Sequence, residues 1–102
     1  MGFSELCPSI LIIMSVSEAQ IIIEMLDIHF DAHDFIVMFI KTFPHSYFKI
    51  LAKYDCNVRQ TDAQIGSFLQ KNANLLCISE IGKVVSMNIM SNQTECMSWR
   101  KL

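Results

Sequence analysis

The apolar residues of this chain change period at Asn74. Before that point they recur at i, i+3, i+4 and i+7, the spacing that lays a buried stripe along a helix. Beyond it they fall in short mixed runs separated by Gly82, Asn88, Ser91 and Asn92, which is the pattern of strands and turns. A chain of 102 residues that is 52% hydrophobic has material for one continuous core and too little length for two independent ones. The expectation is one domain over residues 1–102, mainly α within an α+β class, with three to four helices followed by a C-terminal two-stranded hairpin.

Start signals divide the helical part. Ser17-Glu18-Ala19-Gln20 has S-x-x-Q capping-box spacing and predicts a helix over 17–27, with Ile21, Ile22, Met25, Leu26 and Ile28 on its buried face. Phe30 and Phe35 bracket Asp31 as a hydrophobic staple, which makes Asp31 the N-cap of a second helix, and Asp34 adds negative charge to its first turn. Phe35, Val37, Met38, Phe39 and Ile40 make that helix apolar nearly all round and hence the central buried element. Pro44 lacks an amide donor and disfavours helix at Phe43, so a third helix runs over 44–53 and buries Tyr47, Phe48, Ile50 and Leu51.

Asp55-Cys56-Asn57 reads as a turn, and Thr61-Asp62-Ala63-Gln64 as a T-x-x-Q box opening a fourth helix that ends near Asn72. Ile65, Phe68 and Leu69 form its inward stripe; Gln60, Gln64, Ser67, Gln70 and Lys71 form a polar, amide-rich outer face. Residues 75–81 and 94–101 are the expected strands, with Trp99 facing the core.

Cys7, Cys56, Cys77 and Cys96 are widely spaced, contain no C-x-x-C pair and read as free thiols. With no cationic n-region or small-residue cleavage site near the start, the expected compartment is reducing and cytoplasmic. The apolar run at residues 10–14 is far shorter than the ~20 residues a membrane span needs. It is expected to pack on the core or extend a strand, with residues 1–14 as a peripheral extension. Net charge is −2 but unevenly placed: residues 1–52 sum to −4 and residues 53–102 to +2, so a polyanion would meet the C-terminal half.

Helices, a capped polar helix and a terminal hairpin together resemble the winged helix-turn-helix superfamily over residues 17–102. The resemblance is carried by Arg59-Gln60-Thr61-Asp62-Ala63-Gln64-Ile65-Gly66-Ser67-Phe68-Leu69 as the recognition helix and residues 75–100 as the wing. The phrases DAQIGSFL and CMSWRK look like those of small uncharacterised bacterial winged-helix domains. The resemblance implies that the helix opened by Thr61 lies in a DNA major groove with Arg59 at its start. Gln60, Gln64 and Ser67 would then sit near base edges, where glutamine pairs with adenine. Lys71, Lys83, Arg100 and Lys101 would sit near phosphates. Gly66 would permit close backbone approach, its alternative role being helix-on-helix packing.

An acidic chain departs from the strongly basic pattern of stand-alone DNA binders, so binding is expected to be weak or to depend on a homodimer or larger complex, as in a regulator. The alternative is a non-enzymatic protein-interaction or dimerisation module. Its basis is the apolar run at 10–14 and the second helix, which leave more hydrophobic surface than one small domain readily hides.

Other chemistry finds less support. His29 and His33, beside Asp31 and Asp34, are four apart, but the staple places His29 outside the helix, so the pair is not expected to hold a metal. A cysteine nucleophile needs a histidine beside it; all three histidines lie within 29–45, and no sequence rule brings a thiol to them. There is no phosphate-cradling glycine loop and no G-x-S-x-G elbow. The expectation is a protein without enzymatic activity, cofactor or metal.

Overall fold

The computed structural model describes residues 15–102; the expectations for residues 1–14, Cys7 included, lie outside them. Helix α1 spans Val16–Met25, strand β1 His29–Asp31, α2 Ala32–Thr42, α3 Pro44–Lys53, α4 Val58–Lys71 and a single turn α5 Ala73–Leu76; strands β2 (Ile78–Met87) and β3 (Gln93–Lys101) close the chain. Helices followed by an antiparallel C-terminal hairpin are what the change of period at Asn74 predicts.

Two helix starts differ from the expected ones. The capping box of α1 is Ser15 with Glu18 rather than Ser17 with Gln20: Ser15 Oγ accepts the Glu18 amide at 3.1 Å, and Glu18 Oε1 accepts the Ser15 amide at 3.5 Å. A glutamate at the third helical position also adds negative charge at the positive end of the dipole, which Gln20 would not. Packed on α2 and α5, the helix buries Ala19, Ile22 and Ile23 and leaves Ile21 and Met25, together with Ile28 beyond its end, exposed. Helix α4 opens at Asn57, not Thr61. Asn57 Oδ1 accepts the Gln60 amide at 2.9 Å, while Thr61, fully buried, donates its hydroxyl to the Asn57 carbonyl at 2.8 Å. Both residue types cap well, so the earlier one takes the cap and the later hydroxyl bonds back one turn.

The start of α2 is as the staple predicts. Asp31 accepts the Asp34 amide at 2.8 Å, Asp34 accepts the Asp31 amide at 3.0 Å, and Phe30 and Phe35 are both buried. Pro44 opens α3 at its first position. Around α2 pack α1, α3, α4 and β3. Phe39 stacks on Phe35 at 6.1 Å and meets the edge of Tyr47 at 6.3 Å. With Ile22, Ile36, Ile50, Ile65, Leu69 and Trp99 these rings form one buried core, each aliphatic member contributing roughly 1.5–3 kcal/mol. Val37 and Phe48, expected inside, face outward, because the buried stripes of α2 and α3 run through Phe35, Ile36 and Phe39 and through Tyr47 and Ile50.

The sheet has three strands in the order β1-β3-β2, all antiparallel, rather than two. β1 is three residues long, too short for periodicity to reveal. Its pairing of Phe30 with Trp99 and Asp31 with Ser98 sets the start of α2 beside β3. Residues 75–76 belong to α5, and Cys77, in the left-handed region at φ 56°, turns the chain into β2. Gly82 does not end the strand. It sits at a bulge opposite Ser98 with φ +155°, a conformation that side chains rarely adopt, and β2 continues to Met87. In the hairpin loop, Asn88 Oδ1 accepts the amides of Met90 and Asn92 at 2.9 and 3.0 Å. Among the described residues no helix is long and apolar enough to cross a membrane.

Candidate functional site

Helix α4 carries three faces. Thr61, Ile65, Phe68 and Leu69 are buried. Gln60, Gln64, Ser67 and Lys71 recur at i, i+4, i+7 and i+11 and make a polar stripe along the exposed side, with Gln64 and Ser67 half-buried and Gln60 and Lys71 open. Arg59, Ala63, Gly66 and Gln70 form a third face, toward the hairpin. Between that face and the hairpin lies a cleft of about 1120 Å³, with Ser67 at its edge, Lys83, Glu95 and Met97 on the opposite wall and His33 and Trp99 also lining it. Trp99 Nε1 is buried and has no hydrogen-bond partner among the described residues, an unused donor in the cleft wall.

The fold thus gathers Arg59, Gln60, Gln64, Ser67 and Lys71 on one helix, with Lys83 across the cleft. Lys83 is exposed and pairs with Glu95 at 3.8 Å, a surface contact of small energetic weight that reduces its local field. Arg100 is exposed on β3 between His29 and Ser79, outside the cleft. Lys101 has another occupation. Its half-buried ammonium donates to the Leu26 carbonyl at the end of α1, where a cation suits the dipole, and its amide donates to the Ile28 carbonyl at 2.8 Å. Gly66 has no atom within 4 Å of where a Cβ would stand, so helix-on-helix packing does not explain it. It opens instead onto the cleft.

Beneath α4, Tyr47 donates its hydroxyl to Asp62 Oδ1 at 3.0 Å. Burial raises the Asp62 carboxyl above its ordinary range, an effect the Tyr47 hydrogen bond and the nearby His33 ring oppose. Burial, with the Asp62 charge and hydrogen bond, pushes the Tyr47 phenol well above the usual tyrosine range. The polar stripe therefore rests on a neutral phenol tied to a partly desolvated carboxylate.

The sequence offered no rule that brings a thiol to a histidine, yet the fold does so. His33 Nδ1 lies 2.6 Å from Ser86 Oγ and 3.5 Å from Cys96 Sγ, and His33 Nε2 lies 3.3 Å from Thr94 Oγ1. Asp31 completes a group with His33 and Cys96 whose ligand atoms all lie within 4.8 Å of one another; His29, the other half of the four-residue histidine spacing, is not part of it. Sixty-three residues separate His33 from Cys96. The signal that could have joined them is the pairing of β1 with β3, carried by Phe30 and Trp99. Cys56, Cys77 and Cys96 are free thiols.

Compared with known proteins, the chain matches no family model, no curated protein and no solved structure.

Proposed function

We propose that this chain binds duplex DNA weakly on its own, or more firmly as part of a dimer or larger complex, through α4 and the hairpin beside it. The observation that supports this most is the stripe Gln60, Gln64, Ser67 and Lys71. It presents amide, hydroxyl and ammonium groups along one straight edge of a 14-residue helix whose opposite face is locked into the core. Such an edge suits a major groove, where glutamine reads adenine and a terminal lysine meets phosphate. Arg59 flanks it on the same helix and Lys83 stands across the cleft, and the helices-then-hairpin order is the one the winged-helix resemblance implies. In this reading the chain is a cytoplasmic regulator without catalytic activity, and Lys101 serves the fold rather than the phosphates.

Gln64→Ala with Lys71→Ala tests the assignment. Both side chains lie off the core, so the double variant keeps its melting temperature and loses most of its affinity for duplex DNA. Unchanged binding removes α4 as the contact element.

A second reading, self-association or a protein partner, rests on β2. This strand is the outer edge of the sheet, paired on one side only, and Ile81, Val85 and Met87 on it are more than half exposed, as is Met90 in the adjoining loop. An unpaired apolar edge is a template for another strand. Sedimentation equilibrium separates the two readings: a concentration-dependent dimer with no affinity for DNA supports the second alone.

A further inference from the structure

Asp31, His33 and Cys96 come from two elements that meet only in the folded chain, and the geometry points to a zinc-class transition-metal site at their meeting point. A tetrahedral zinc ion with bonds of 2.0–2.3 Å to nitrogen and sulfur holds the two ligand atoms about 3.6 Å apart. His33 Nδ1 and Cys96 Sγ stand 3.5 Å apart without any ion between them. Nδ1 has a single lone pair, yet the Ser86 hydroxyl and the Cys96 thiol both converge on it. More polar groups are brought there than one hydrogen bond requires.

The remaining features suit the same ion. Thr94 Oγ1 can accept a hydrogen bond from Nε2–H, which leaves the Nδ1 lone pair free and fixes the ring, as an outer partner does for metal-bound histidine. Asp31 uses one oxygen to hold the Asp34 amide and has a second to offer. Ser86 Oγ, 2.6 Å from Nδ1 and 3.7 Å from Sγ, is at hydrogen-bond distance from the ring and too near it to be a co-ligand, since tetrahedral ligands stand about 3.3 Å apart; it gives up Nδ1 to the ion, and water fills the fourth position. One thiolate, one carboxylate and one neutral imidazole cancel the charge of a divalent ion, which suits a half-buried position. Binding takes up one metal ion, forms the sulfur–metal bond and releases the Cys96 proton to solvent, with no change of oxidation state. The ion would join the first turn of α2 to β3. It would thereby fix the hairpin that forms one wall of the cleft.

The test is titration of the reduced, chelator-treated full chain with cobalt(II), followed by absorption and then by displacement with zinc. The expected result is one equivalent bound, with a thiolate-to-cobalt charge-transfer band and the intense ligand-field bands of a tetrahedral site, all lost on adding zinc. Cys96→Ser abolishes the charge-transfer band. Asp31→Asn, which preserves the helix cap, and Thr94→Val each weaken affinity at least about 10-fold with the metal-free melting temperature little changed. Absence of a charge-transfer band in the wild type overturns the assignment. So does a band that survives Cys96→Ser, or affinity unaltered by Asp31→Asn.

Discussion

Gly66 is an interior glycine in a 14-residue helix, and replacing it with alanine should make the protein more stable. An interior helical glycine is about 0.8–1 kcal/mol less favourable than alanine, because it gives up more backbone freedom on folding. No steric term opposes that gain, since a Cβ at this position meets no atom within 4 Å. Nor is there a burial term to add, because the new methyl would project into the open cleft. For a domain of this size each kcal/mol moves the melting temperature by roughly 4–8 °C, so Gly66→Ala should melt about 3–8 °C higher. Thermal denaturation followed by circular dichroism measures this directly. If backbone approach at Gly66 is what the ligand requires, the same variant binds DNA less well while melting higher, a combination that a purely structural glycine would not produce. A lower melting temperature would refute the reasoning, by showing that the position is packed rather than open.

Three further outcomes follow from the same structure. The native carboxyl of Asp62 is raised, so the native state holds its proton more tightly than the unfolded chain does; its contribution is fully present below the unfolded value of about 3.9 and is lost as pH rises through the native value. Asp62→Asn keeps an acceptor for Tyr47 and should therefore be more stable than the wild type at neutral pH, with the difference vanishing in acid; urea melts at pH 3 and 7 check this, and lower stability at pH 7 contradicts it. Asn57→Ala removes the cap of α4 and should cost about 1 kcal/mol, read as a lower urea midpoint with unchanged slope, whereas Gln64→Ala should leave the midpoint where it is. Gly82→Ala forces a side chain into φ +155° and should destabilise although the space around it is empty; a neutral effect would show that the bulge relaxes.

Much of the fold could be read before the structure, and the reasons for the misses are physical. The Asp31 cap, the staple and the Pro44 break are local signals backed by local interactions, and each lies where the residues place it. Start signals misled where two capping residues compete within four positions, as Ser15 does with Ser17 and Asn57 with Thr61. A spacing rule cannot rank them; the hydrogen bonds can. The buried face of α1 is a separate matter, selected by packing on α2 and α5 among several apolar residues: Ile21 and Met25 face outward and Ala19 and Ile23 inward. Strand β1 was invisible for a different reason, since three residues carry no period and the stability of His29–Asp31 as a strand comes from β3, seventy residues away along the chain.

The candidate site divides along the same line. The polar stripe of α4 could be read from sequence because it is a property of one helix. The His33–Cys96 group could not, because it depends on β1 pairing with β3. Lys101 shows that charge alone does not assign a surface lysine to a ligand, for its partner is a carbonyl of its own chain.

The central claim is a salt-dependent contact between α4, the hairpin and DNA, and it is tested most directly by fluorescence-anisotropy titration with mixed duplex DNA over a range of low to moderate salt. With Lys101 occupied and Arg100 outside the cleft, Arg59, Lys71 and Lys83 are the cations this reading assigns to phosphate, and Lys83 is shared with Glu95. Two to three contacts give a slope of log affinity against log salt of about −1.8 to −2.7 per bound chain, falling toward zero in a variant without Arg59, Lys71 and Lys83. No binding at the lowest salt, or binding indifferent to salt, would contradict the account and leave the β2 edge as the functional surface.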